Sequence, residues 1–340
     1  MNILFTCAGR RNYLIAYFRQ VLGHNGRIIA ADVQIAAPAL AIADKAVVVP
    51  EIYSKGYLEV ILELCRKEQV HALFSLNDLE LPILASGGKK FEEIGVKLVI
   101  PNEKIIETCF DKYSTKLFTE NLKISFPKTY LTLDQAKNAI RRGEIKFPVI
   151  VKPRWGSASI GLESPETLEE LELEYRLVSL KISRGILNEA SKQQIDRAVL
   201  IQEKIIGTEY GLDILNNFYG QPEQVYIKEK LAMRAGETDR AVLRNKPDLE
   251  ALGFLLGRSL GHIGNLDCDF FETSEGYCML EMNPRFGGGY PFSHMAGANY
   301  PAALCAWLEG NSFDFDHFTK EYDQPYAKYD TLIKVLVNSI

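Results

Sequence analysis

Along the first hundred residues the apolar positions switch between two periods. Short continuous apolar runs at 3–7, 27–31, 46–49, 71–75 and 97–100 alternate with helical spacing at 13–22 and 57–68. Short runs with apolar centres, bounded by polar turns, predict strands covered on both faces. Helical segments between them predict parallel βαβ units. The first strand leads into the turn Ala8-Gly9-Arg10-Arg11, and the second ends at Asp32.

The texture changes near Glu103. Residues 103–122 have helical spacing, 126–129 are extended, and 147–153 form a strand stopped by Pro153. A small, flexible stretch follows at 154–161. Residues 163–198 are highly charged with a weak apolar pattern and predict helix. The runs 198–203, 210–215, 224–231, 263–271 and 277–282 predict one antiparallel sheet, 233–240 a polar loop, and 296–308 a late helix. The fold expected is α/β followed by α+β, in three parts: a parallel domain over 1–104, a small lobe over 105–204 and a large lobe over 205–340.

Composition narrows the function. The 340 residues are 47% hydrophobic and 24% charged, ordinary globular values with ample material for a core. A net charge of −5 offers no broad basic face, so no nucleic-acid partner is expected. Six cysteines are scattered without a CxxC pair, which excludes zinc-type spacing and predicts free thiols. Met1 leads straight into a strand, and no apolar run approaches the roughly 20 residues of a membrane span. The expectation is a cytoplasmic protein without membrane contact.

Three segments carry chemistry. In Glu281-Met282-Asn283-Pro284-Arg285-Phe286-Gly287-Gly288-Gly289, Glu281 and Asn283 share one side of a strand, hard oxygen donors of the kind magnesium takes. Asp267 and Asp269 share a face of the preceding strand. Arg285 offers a planar fork to phosphate or carboxylate. In Val149-Ile150-Val151-Lys152-Pro153, a lysine at a buried strand end needs an anion or a path to water. The Gly/Ser stretch after it, with Ser157 and Gly161, offers backbone N–H groups to phosphates, although GxxxxGK[ST] is absent. In the segment 200–213, Glu203 and Glu209 flank a turn whose backbone suits a purine edge. Taken singly, each also reads as a solvated strand end or hairpin.

In order and spacing, Lys112 after Phe110-Asp111, Lys152, the Gly/Ser stretch, Gln202-Glu203, Gly207-Thr208-Glu209, Asp267 and Glu281-x-Asn283-Pro-Arg285 resemble the ATP-grasp superfamily. Within it the chain is similar to short proteins related to the carbamoyl-phosphate synthase large subunit, over residues 1 to about 310. The resemblance implies a pre-ATP-grasp domain before a two-lobed ATP-grasp fold. It implies ATP and Mg²⁺ (or Mn²⁺), and a carboxylate–amine ligase that passes through an acyl-phosphate. Lys112 and Lys152 would contact phosphates, under a lid at 154–161. Glu203 and the 204–206 backbone (Lys204, Ile206) would hold adenine, and Glu209 the ribose. Asp267, Glu281 and Asn283 would hold metal, with Asp269 the alternative to Asp267. Arg285 would stabilise the transferred group. Lys228 or Lys230 would be the phosphate-facing cation on its strand.

The substrates are small: a carboxylate and an amine, one of them expected to be an amino acid. Arg234 or Arg240 suits a substrate carboxylate and Glu237 or Asp239 an ammonium. Asn77 and Asp78 end an N-domain strand, where open α/β sheets bind ligands. The resemblance leaves a homodimer open. Carboxyphosphate chemistry of the carbamoyl-phosphate type is an alternative. An NAD(P) oxidoreductase is a weaker one, because GxGxxG is missing at 8–11.

Overall fold

The structure is a computed structural model and describes residues 1–156 and 161–337. The chain forms two compact units. One comprises 1–106, 211–267 and the chain from 283 on; the other comprises 107–210 and 268–282.

In the first unit, β1 (Asn2–Thr6), β2 (Arg27–Asp32), β3 (Lys45–Val48), β4 (Ala72–Ser75) and β5 (Lys97–Leu98) form a parallel sheet in the order β3-β2-β1-β4-β5. Leu4 is in register with Ile29 on one side and Leu73 on the other. Strand order reverses at β1, and open sheets of this kind take ligands beyond the carboxyl ends of their strands at such a point. The helix Asn12–Leu22 lays Leu14, Ile15, Phe18 and Leu22 against this sheet. Phe18 meets Phe5 edge-on at 5.0 Å and Phe74 at 5.1 Å. Each fully buried ring of this kind contributes about 2–3 kcal/mol. The same core takes in Phe286, Tyr290 and Tyr300, which tie the chain beyond Asn283 to the sheet.

In the second unit, β6 (Thr129–Tyr130), β7 (Val149–Pro153) and β8 (Val199–Glu203) form an antiparallel sheet ordered β6-β8-β7, with Val151 opposite Ile201. The run 198–203 therefore does not join the larger antiparallel sheet predicted for it. The helical run at 103–122 is two helices, Glu103–Phe110 and Lys112–Asn121. Asp111 breaks it by adopting extended backbone and capping the second helix through Tyr113 N. The charged stretch contains the helix Leu168–Arg184, started by the Thr167 cap.

A six-stranded sheet has the order β13-β12-β9-β10-β11-β14, formed by β9 (Thr208–Asn216), β10 (Pro222–Arg234), β11 (Glu237–Leu243), β12 (Gly264–Thr273), β13 (Gly276–Asn283) and β14 (Pro325–Ala327). The predicted loop at 233–240 is instead the tip of the β10–β11 hairpin. Ala235 (φ 51°) and Gly236 (φ 78°) make its two-residue turn, and pairing resumes at Glu237. The helix Pro247–Leu260 matches no predicted element. Gly253 and Gly257 on its buried face blur the apolar period, and close packing requires both. An added Cβ would lie 2.7 Å from Val225 and 2.8 Å from Asn216. The late helix is shorter than expected, Tyr300–Leu308. Among the described residues no helix is long and apolar enough to cross a membrane.

Candidate functional site

In the second unit the chemistry gathers at the end of β7. Asp111 and Arg154 form a buried two-pronged ion pair, both contacts at 2.6 Å. The guanidinium stacks over Trp155 at 4.5 Å. Lys112 N bonds to Arg154 O, and the Lys112 ammonium donates to Gly156 O. These contacts fix the first residues of the Gly/Ser stretch. Lys112 is thereby held close enough to Lys152 for their charges to repel. Burial, and then that repulsion, lower the Lys152 ammonium to about 8, against the opposing pull of Glu281 and Asp269. Two cations and two acids, contributed by a helix start and three strands, thus form one electrostatic group. Ser157 lies outside the described residues. Gly161 is described, at φ 70°, packed against Pro153.

Downstream, Glu203 is partly buried and its Val149 partner keeps it at the sheet's end. Lys204 reaches Ser164 Oγ at 3.2 Å, and Ile206 presents an apolar side chain that is 85% exposed. Because β8 and β9 belong to different sheets, 204–207 is a crossing strap and not a hairpin. Gly207 is demanded there, since a Cβ would sit 2.1 Å from Glu272 O. Glu209 follows within β9, partly buried.

In the first unit, Lys228 and Asp213 pair at 2.7 Å and are essentially inaccessible. Asp213 also accepts from Ser293 Oγ at 2.5 Å and Asn265 Nδ2 at 3.2 Å. Lys228 is therefore committed to a buried network, whereas Lys230 is only partly buried. Asp267 lies among Lys228, Asp213 and Arg285, and burial raises its carboxyl above the usual range. The three glycines after Phe286 each abut a charged side chain. A Cβ on Gly287 would lie 2.2 Å from Asp267 Oδ2, one on Gly288 3.0 Å from Glu237, and one on Gly289 2.6 Å from Lys228 Cε. The run is small because the site leaves no room for anything larger.

Beside it, Arg285 donates to Asp78 at 2.5 Å. Arg285 Nε and Asp78 Oδ1 are buried without partners, an unused donor and acceptor a bond apart from a formed ion pair. Arg11 donates to Glu237 at 2.7 Å and lies near enough to Arg285 to oppose its charge. Desolvation raises the Glu237 carboxyl, but Arg11 and then Lys328 (3.1 Å) overcome it and hold it at about 2. Asn283 is buried, and its carbonyl accepts from Arg285 N.

The structure thus brings together Lys112, Lys152, Glu281 and Asp269 in one unit. In the other it assembles Asp267, Arg285, Asp78 and Glu237, with Lys228 nearby. It separates others. Arg234 is half exposed and engaged with Asp239 (2.9 Å) and Asp330 (2.8 Å). Arg240 is exposed and registers with Ala327 at the sheet's edge. Asn77 caps its own turn through Leu79 N at 3.0 Å. Sequence reasoning missed Arg11, Asp213 and the Asp111–Arg154 pair. Arg11 was signalled by its place after the first strand, in the turn that replaces glycines with arginines. Among the described residues no three His, Cys, Asp or Glu side chains converge as a metal site on their own.

Comparison with known proteins gives this arrangement a family. Residues 3–99 match the PylC-like N-terminal domain, and 196–329 match ATP-grasp in the biosynthetic pathway with Ter operon. A D-alanine–D-alanine ligase of Corynebacterium aurimucosum is 26% identical over 216 residues, 60% of this chain. The match spans 58% of that ligase. Among solved structures, the biotin carboxylase β-γ-ATP complex from Campylobacter jejuni superposes with a TM-score of 0.73 at 16% identity. It covers 95% of this chain and 74% of its own. The L-amino acid ligase from Bacillus licheniformis gives 0.69 at 17% identity, over 91% of this chain and 75% of its own.

Proposed function

The chain belongs to the ATP-grasp superfamily, and we propose that it is an ATP- and magnesium-dependent ligase that joins a carboxylate to an amine, an amino acid being one of the two. The observation that carries this reading is Lys152. A partly buried lysine held beside a second lysine, and lowered to about 8 by desolvation and that repulsion, suits an added anion. A polyphosphate answers that need, and the acids Asp269 and Glu281 beside it suit its divalent counter-ion.

In this reading Lys112, Lys152 and Lys230 bind phosphates. Glu203, Lys204 and Ile206 border the adenine, and Glu209 takes the ribose. Lys228 acts one step back, holding Asp213. Magnesium or manganese, held by Glu281 and Asn283 with Asp269 or Asp267, would neutralise phosphate charge. Asp269 fits better beside Glu281, because Asp267 is occupied with Lys228 and Arg285. Arg11, Arg285, Asp78 and Glu237 offer paired cations and anions that suit the two ends of an amino acid. Asp239, Arg234, Arg240 and Asn77 serve the strand edge and turns around them.

A carboxylate is a poor acyl donor because oxide is a poor leaving group. Its oxygen attacks the γ-phosphorus, the bond to ADP breaks, and an acyl-phosphate forms. The amine nitrogen then attacks the acyl carbon, phosphate leaves, and the nitrogen loses a proton. The protein's share is positioning and charge stabilisation by fixed cations.

The test is ADP release screened over pairs of amino acids and small carboxylates, with product identified by mass. Lys152→Met and Glu281→Gln should each abolish release while leaving the circular dichroism unchanged. Near-normal ADP release by both, at saturating substrates, would overturn the assignment. Release with bicarbonate alone, and no amide product, would point to carboxyphosphate chemistry instead.

A further inference from the structure

The proposed chemistry leaves one buried acid of the first unit without a task. Glu80 is fully inaccessible, and its carboxyl group accepts from Thr6 Oγ1 at 2.7 Å, Ser75 Oγ at 2.5 Å and Tyr57 OH at 2.6 Å. Thr6 and Ser75 are register partners at the carboxyl ends of β1 and β4, and Tyr57 opens the helix Tyr57–Lys67. The Cys7 thiol makes a fourth bond to the same group. These four partners are three hydroxyls and a thiol, none of them a cation. Burying an acid among neutral groups is costly, and leucine or methionine would fill the volume without that cost. Burial raises this carboxyl, and its hydroxyl partners pull it back. What an acid adds is direction. In its ionised form it only accepts, so all four hydrogens point inward and the elements that carry them are held in one arrangement.

Those elements carry the charged groups of the candidate amino-acid site. Cys7, at φ 49°, starts the turn that ends at Arg11, the partner of Glu237. Arg11 N closes that turn on Ala8 O at 2.9 Å. Ser75 starts the turn that carries Asp78, the partner of Arg285. Glu80 N closes it on Asn77 O at 3.1 Å. The Glu80 carbonyl accepts from Ile83 N and Leu84 N, so its main chain starts the helix Leu81–Ser86 while its side chain reaches back to both strand ends. We propose that Glu80 is a positioning residue for amino-acid recognition: its carboxyl group sets the separation of the turn bearing Arg11 from the turn bearing Asp78. Asp78 Oδ1 and Arg285 Nε, buried without hydrogen-bond partners, are thereby kept where the ammonium and carboxylate of an amino acid can meet them. Glu80 is closed off from solvent and touches no substrate itself. This inference rests on the ligase reading, since it takes Arg11, Asp78, Glu237 and Arg285 as the place where an amino acid is held.

The experiment has two arms, both on the full chain. In the first, which needs no substrate, Glu80→Gln should speed amide hydrogen exchange in peptides over 7–11 and 75–80. The expected factor is at least about tenfold, the loss of one hydrogen bond to a charged acceptor. Peptides of β9 and β10 should exchange as in wild type. The second arm is steady-state ADP release with magnesium-ATP and the amino-acid and carboxylate pair most active in wild type. The KM for the amino acid should rise roughly 10- to 100-fold, the range for a small misplacement of binding groups, with the KM for ATP unchanged. Tyr57→Phe removes one hydroxyl and keeps the ring. It should move both readouts the same way by a smaller factor, and it decides the matter if Glu80→Gln does not fold. Exchange unchanged in the two turns, exchange raised throughout the unit, or KM values for ATP and amino acid rising together would each overturn the proposal. If no pair drives ADP release in wild type, the ligase reading fails and takes the amino-acid role of Glu80 with it. Normal wild-type release with an unmoved amino-acid KM in both variants sinks this inference alone.

Discussion

Raising the pH from 7 to 9 should weaken ATP binding about tenfold through Lys152 alone. Burial and Lys112 lower this ammonium to about 8, from 10.5 for an ordinary lysine. At pH 7 roughly 90% of it is protonated, and at pH 9 roughly 10%. If phosphate binding needs the charged form, the apparent dissociation constant scales with the reciprocal of that fraction. The change is then about tenfold, or ~1.4 kcal/mol. ATP's phosphates are already ionised throughout this range, so the loss belongs to the protein. Calorimetric titration with ATP and magnesium at constant ionic strength reads it directly. Lys152→Arg should keep affinity and flatten the profile, because guanidinium stays charged. Stability should move the other way. Between about 8 and 10.5 the unfolded chain holds the proton that the folded chain has released, so ligand-free stability rises with pH across that window. A wild-type affinity that is flat from pH 7 to 9, or an identical fall in Lys152→Arg, would refute the argument.

The remaining predictions concern the first unit. Lys228→Met strands Asp213 as a buried unpaired carboxylate and should cost about 3–5 kcal/mol of stability in denaturant unfolding. Lys230→Met, at a partly buried position, should leave the unfolding midpoint nearly unchanged and weaken nucleotide binding. Equal destabilisation by the two would dissolve the distinction drawn between them. Glu237 has its folded carboxyl held at about 2, against 4.5 for an ordinary glutamate. The stability it contributes is present above about 4.5 and is lost as pH falls toward 2, discounted because the side chain is 42% exposed. Glu237→Gln should therefore flatten acid unfolding between those limits, and an unchanged acid limb would argue against the Arg11–Glu237 pairing.

Much of the fold was legible because period is a local property. The runs 3–7, 27–31 and 71–75 became β1, β2 and β4 almost to the residue, since short apolar stretches between turns have few other solutions. Residues 103–122 misled for the opposite reason. Their spacing is helical throughout, and only the Asp111 side chain, engaged by Tyr113 N and Arg154, interrupts it. At 233–240 alternating polar residues resembled a loop, although a two-residue turn and the neighbouring strand make them a hairpin. The chemistry followed the same division. Lys152, Glu281 and Arg285 stood out by residue type and spacing. Arg11 was marked only by its place in the turn after the first strand, and its partner Glu237, 226 positions away, could not be read from spacing.

The order of side chains along the strands, the expectation that Glu281 and Asn283 share one side, and the small residues that follow them come from sequence alone, because pleat and turn geometry need only near neighbours. Tertiary structure decided how deeply each charge is buried and which partner it meets. Lys228 and Lys230 are equivalent along the chain, two residues apart on one strand. Only the approach of Asp213 from β9 buries and neutralises the first. Likewise Lys152 acquires its lowered affinity for protons only when Lys112 and the strand end are folded around it. Desolvation and the repulsion of like charges arise from distance in space, which no local pattern encodes.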